Sequence, residues 1–154
     1  MKWTSATTPI DVGGIQALIE LNLDSAMGFR LAAEQLSSPV ISHTFRVNAN
    51  TREMFARHLE TLANANGVRP RMEGTPTATL HRWWLGVRAS LGSEQDVSIL
   101  REIQFDEEHV KMRYEEVLTE RLDPHVREFL REQYESVCRA LLRIQSFRNE
   151  LSPL

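Results

Sequence analysis

Disulfide bonding is missing from this chain's repertoire: 154 residues contain one cysteine, Cys138, and a lone thiol closes no intrachain bridge. No run approaches the roughly 18 apolar residues that a membrane-spanning helix needs, so no membrane association is expected. The opening stretch MKWTSATTPIDVGG has no apolar signal core, and the expected location is the cytoplasm. Neither sign of charge dominates, with 18 Lys and Arg against 21 Asp and Glu. A formal net charge of -3 offers nucleic acid no general attraction, and no nucleic-acid partner is expected. Low-complexity segments and short repeats are absent. Gly13-Gly14 precedes no lysine and follows no strand, so there is no phosphate-cradling loop. No Ser/His/Asp triad can be assembled.

What is present suits one buried core. Hydrophobic residues make up 42% of the chain, enough for a single domain over residues 1–154. Prolines at 9, 39, 70, 76, 124 and 153 fall between periodic segments or at their starts, where a missing N–H costs least. The first segment, about 12–37, carries Ile15, Leu18, Ile19, Ala26, Phe29, Ala33 and Leu36 at helical spacing, with Asp11 as its cap. Ser38-Pro39 opens a second helix to about residue 66, with Phe45, Met54, Phe55, Leu59 and Leu62 inward and Gly67 as its stop.

Residues 67–76 read as a linker. Thr75-Pro76 starts a short helix to residue 91, its face formed by Leu80, Trp83, Trp84, Val87 and Leu91. Adjacent helical positions point about 100° apart, so the two tryptophans suit packing better than a shared binding platform. A third long helix runs over about 94–121 with Val97, Leu100, Ile103, Val110, Tyr114 and Val117, and Ser93 with Asp96 resembles a capping box. Asp123-Pro124 opens the fourth, whose stripe is Val126, Leu130, Val137, Leu141, Ile144 and Phe147. Cys138, beside that stripe, reads as a buried structural thiol.

The fold expectation is all-α. Four helices of about 25 residues would each span about 37 Å. Tight joins make two antiparallel hairpins, and a crossover of roughly 25 residues with its own short helix is long enough to let the second and third helices run parallel. That is the ferritin-like arrangement.

Five segments carry a family resemblance. LIELNLDSAMGFRLAAEQL, REMFARHLETLANANG, LHRWW, DVSILREIQFDEEHVKMRYEEVL and LDPHVREFLREQYESV occur in that order. Together, from about Leu18 to Phe147, they resemble a bacterial ferritin-like four-helix-bundle family of unassigned function, distantly related to rubrerythrins and ferritins. The resemblance implies a ferritin-like bundle and supplies no substrate or reaction.

A di-iron bundle takes one Glu from each of two helices and a Glu-x-x-His from each of the other two. No Glu in this chain has a His three residues later; Asp106 with His109 comes nearest. With Glu102 these two share one face of the third helix, and they read as a surface histidine beside carboxylates rather than half a metal site. The neighbouring Glu108, Glu115, Glu116 and Glu120, with Lys111 and Arg113 interleaved, read as a solvated acidic face.

Four polar residues interrupt the apolar stripes near mid-helix: Asn22, Arg52, Glu107 and Gln133. Asn22 and Gln133 read as core polars that align the helices. Three readings stand for Glu107. The first is a stripe-edge position that reaches water. The second is a buried ion pair with Arg52, because a lone buried carboxylate costs several kcal/mol. The third is a metal, iron or manganese, held with Asp24 or Glu20. The expected function is non-catalytic, through a homo-oligomer or an unknown protein partner, with no cofactor. The alternative is a metal-binding or di-iron-type oxidoreductase using Glu20, Asp24 and Glu107.

Overall fold

The computed structural model describes residues 12–74 and 93–152. Four long α-helices account for most of them: α1 (Val12–Gln35), α2 (Pro39–Ala65), α3 (Ser93–Leu118) and α4 (Pro124–Leu151). No strand occurs among the described residues, and no helix among them is long and apolar enough to cross a membrane. The expected short helix over 76–91, both of its tryptophans and the Asp11 cap lie outside the described residues.

Local chemistry sets the helix ends. The Ser38 hydroxyl accepts from the Ile41 amide at 3.3 Å, and Pro39 follows it into the first turn. Gly67, at φ 79°, terminates α2: its amide donates to Asn64 O and that of Val68 to Ala63 O, both at 3.0 Å. This is the paired-bond stop that a left-handed residue permits. Asp123 accepts from the His125 amide at 2.9 Å ahead of Pro124. Arg127 donates to Leu118 O and Glu120 O, each at 2.6 Å, placing a cation on the last carbonyl of α3 and on one just beyond it.

The Ser93 side chain of the expected capping box lies outside the described residues, and Asp96 acts at long range. Its carboxylate accepts from the backbone N–H of Ser37 at 3.2 Å and from the Ser37 hydroxyl at 3.4 Å, across 59 residues. The start of α3 is thereby pinned to the α1–α2 turn, so α2 and α3 begin at the same end of the molecule. Farther along, α3 pairs with α1 in antiparallel order: Gly28 faces Ile103, Ser25 bonds Glu107, and Asn22 bonds Tyr114.

The most extensive helix contact joins α1 to α2, followed by α3 to α4 and α1 to α3. Buried Ala26, Ala32 and Ala33 on α1, and Ala49, Ala56 and Ala63 on α2, leave room for close backbones. The α2–α4 contact is the thinnest of the neighbouring pairs, and α2 and α3 lie on a diagonal. After α2 the chain doubles back along α1. The Arg71 amide and carbonyl bond the Gln16 side chain, both at 2.9 Å, and a Cβ on Gly74 would sit 2.4 Å from Asp24 Oδ1.

Two apolar clusters of described residues occupy the interior. One gathers Leu18, Leu59, Tyr114, Val126, Leu130 and Leu141; the other holds Phe29, Phe45, Ile99, Leu100, Ile103 and Ile144. Met54, expected inward, is 45% exposed, because its position falls on the rim of α2 rather than its stripe. Val97 is only partly buried, with Ile99 taking the inward place. Cys138 is half-buried rather than enclosed, since it sits at the α4 edge beside Tyr134.

Candidate functional site: a buried polar layer

Where the two apolar clusters meet, polar side chains occupy the interior. Asn22, Ser25, Arg52, Glu107 and Gln133 are all buried, and Arg52 is the largest fully buried side chain of the described residues. The helical period puts each of them inward. Asn22 and Ser25 are one turn apart on α1, Glu107 falls between Ile103 and Val110, and Arg52 falls between Ala49 and Phe55.

Glu107 is 1% exposed, so the stripe-edge reading is overturned: the rotation of α3 that buries Ile103 and Val110 carries Glu107 in with them. One carboxylate oxygen accepts from the Ser25 hydroxyl, the other from Arg52 Nη2. Arg52 thus reaches across the diagonal of the bundle, its guanidinium carbon 5.9 Å from the centre of the Phe55 ring. An isolated buried charge would be costly, and each of these two ions neutralises the other. Arg52 Nε and Nη1 and Asn22 Oδ1 have no protein partner among the described residues.

A separate neutral relay shares the layer with this pair. Asn22 Nδ2 donates to Leu18 O at 2.8 Å and to the Tyr114 hydroxyl at 2.7 Å. Tyr114 donates to Gln133 Oε1 at 2.7 Å, and Gln133 Nε2 donates to Phe55 O at 3.4 Å. Complete burial pushes the Tyr114 hydroxyl well above the ordinary tyrosine range, and the Glu107 charge adds to this; the Asn22 bond and Arg52 oppose it. Tyr114 therefore stays protonated and serves as a donor. Ser25 and Tyr114 were not expected in this layer. A serine between apolar turns gives no periodic signal, and a tyrosine on the stripe reads simply as core.

The other expected site residues lie elsewhere. Glu20 accepts from Gln16 Nε2 at 3.2 Å and from Arg71 Nη2 at 3.1 Å, near the surface. Asp24 lies against Gly74. His109 is exposed, with Nδ1 2.9 Å from Phe105 O and its ring 4.6 Å from that of Phe105. Among the described residues, no three His, Cys, Asp or Glu side chains converge as metal ligands would.

A family model described as Domain of unknown function (DUF2383) matches residues 12–120. The chain belongs to that family. No curated protein matches it. The DUF2383 match runs through α1, α2 and α3, and so includes Asn22, Ser25, Arg52, Glu107 and Tyr114. Gln133, which closes the relay from α4, falls outside it.

Asp106 gives the layer a titrating neighbour. Its carboxyl is raised to about 6, by loss of hydration first and then by Glu102, Glu107 and Asp24, against the opposing pull of His109. A carboxyl raised above its unfolded value of 3.8 binds its proton more tightly in the folded chain, so this contribution to stability is lost as pH climbs from about 4 through 6. Asp106→Asn removes that loss. The variant should match the parent near pH 4 and exceed it above pH 6. Asp106 is an exposed residue, so screening reduces the gain to about 0.5–1 kcal/mol. Urea melts at pH 4 and pH 7.5 check this, and a pH-independent difference would contradict it.

Proposed function

We propose that this chain is a non-catalytic ferritin-like bundle whose mid-height polar layer is structural and which acts by associating with itself or with another protein. The ferritin-like reading draws support from the shared starting end of α2 and α3 and from the antiparallel α1–α3 pairing. One observation carries the functional reading: the Arg52–Glu107 ion pair occupies the interior at mid-height. Di-iron bundles converge four carboxylates and two histidines on such a place. Here a guanidinium already supplies the positive charge, and both oxygens of Glu107 are engaged. These residues do not fit a di-iron centre.

The alternative is a metal-binding or di-iron-type oxidoreductase holding iron or manganese with Glu20, Asp24 and Glu107. It draws on the charges of Glu102, Glu107 and Asp24, which all raise the Asp106 carboxyl. Metal analysis of untagged protein purified without chelator separates the two readings. The expected result is iron and manganese each far below one atom per chain, with a Tm unmoved by added metal. About one atom per chain, lost in Glu107→Ala, would replace the first reading with the second.

A further inference from the structure

Two exposed surfaces of this chain are opposite in charge and alike in pattern. The first is the outer face of α3. Phe105 and Met112 are 58% and 57% exposed and stand one heptad apart, about 10 Å along the axis. Glu102 and Glu108 lie on the turns either side of Phe105. Neither carboxylate is in an ion pair among the described residues.

The second surface is the groove left by the thin α2–α4 contact. Val47 and Ala140 form part of its lining, with His43, Asn48, Arg139 and Arg143 around them, and no carboxylate among the described residues lines it. Val40, Val47 and Met54, all exposed, continue along α2 at heptad spacing. Thr44 and Thr51, between them, turn their hydroxyls back to the carbonyls of Val40 and Val47 at 3.1 Å, so these hydroxyl donors are already satisfied within the helix. Arg139 and Arg143 are one turn apart and join no ion pair among the described residues; Arg143 lies over the Phe147 ring at 5.9 Å.

We propose that the α3 face of one copy docks into the α2–α4 groove of a second copy. Phe105 enters over Val47 and Ala140, and Glu102 and Glu108 meet Arg139 and Arg143. Charge selects this head-to-tail pairing. Ridge against ridge would oppose carboxylates, and groove against groove would oppose guanidinium groups. An acidic helix with an apolar line is the complement that the groove requires, and α3 of the same chain carries one. The inference rests on the association reading and names its partner and surfaces.

Sedimentation velocity with two variants tests it. Phe105→Glu with Met112→Glu spoils the ridge; Arg139→Glu with Arg143→Glu spoils the groove. The parent should sediment as an oligomer that weakens in about 0.5 M salt. Each variant alone should be monomeric with the parent's helical circular dichroism. Mixed, they should form a 1:1 complex that grows no further, because only one ridge and one groove remain intact. That recovery also shows both variants to be folded. A parent that stays monomeric at every concentration overturns this inference and the self-association half of the reading beneath it. An oligomer that survives in either variant, or a mixture that fails to pair, overturns the head-to-tail contact alone.

Discussion

Glu107→Ala is expected to cost about 3–5 kcal/mol of folding stability, a large share of what holds a domain of this size together. The loss comes less from the bond itself than from what remains. Arg52 is 1% exposed, and without Glu107 its charge would stay buried with no counter-ion. Arg52→Ala should cost a similar amount for the mirror-image reason. Replacing both at once, as Arg52→Met with Glu107→Leu, removes the two desolvation penalties together and should recover most of the loss. Urea denaturation of the two single variants and the double variant reads this directly. Single variants that melt within about 0.5 kcal/mol of the parent would mean that both groups reach water.

Phe29→Ala should cost about 3–5 kcal/mol, as usual for an aromatic side chain removed from a packed interior. Phe29 and Phe45 are fully buried, and their rings meet edge-to-face with centroids 5.0 Å apart. The pair links α1 to α2 within the apolar cluster beside the polar layer. Truncating Phe45 as well should show a coupling of about 0.5–1.5 kcal/mol between the two rings. A cost below about 1 kcal/mol for Phe29→Ala would place that ring at a surface. A coupling near zero would dissolve the edge-to-face contact.

Much of the helix framework was legible because its signals are local. Ser38-Pro39 and Asp123-Pro124 are caps whose chemistry acts within three residues, and Gly67 stops α2 through its own backbone. Glu107 was legible as an anomaly because it breaks an apolar period, and Arg52 was among the partners named for it. What stayed hidden depends on packing between distant segments. Asp96 stands where a capping box would place it, and spacing alone gives no sign that its carboxylate reaches Ser37, 59 residues earlier. Ala49 and Ala63 are completely buried, but alanine is too small and too common on exposed faces to mark a stripe. Apolarity alone points Met54 inward, and a long flexible thioether at a helix rim satisfies the same pattern. The expected metal ligands Glu20 and Asp24 share a helix with the layer but not its inward face.

The polar layer also acts as an index mark along the bundle axis. Leucine and isoleucine layers tolerate translation, since one turn of sliding exchanges one aliphatic neighbour for another. Moving α3 by one turn, about 5.4 Å, would bring Ile103 or Val110 opposite Ser25 and Arg52. Glu107 would be carried toward an aliphatic layer at the same time. Asn22 would lose Tyr114 in that step, and Gln133 would lose it too if α4 stayed in place. The helices therefore have one axial position at which every partner is met.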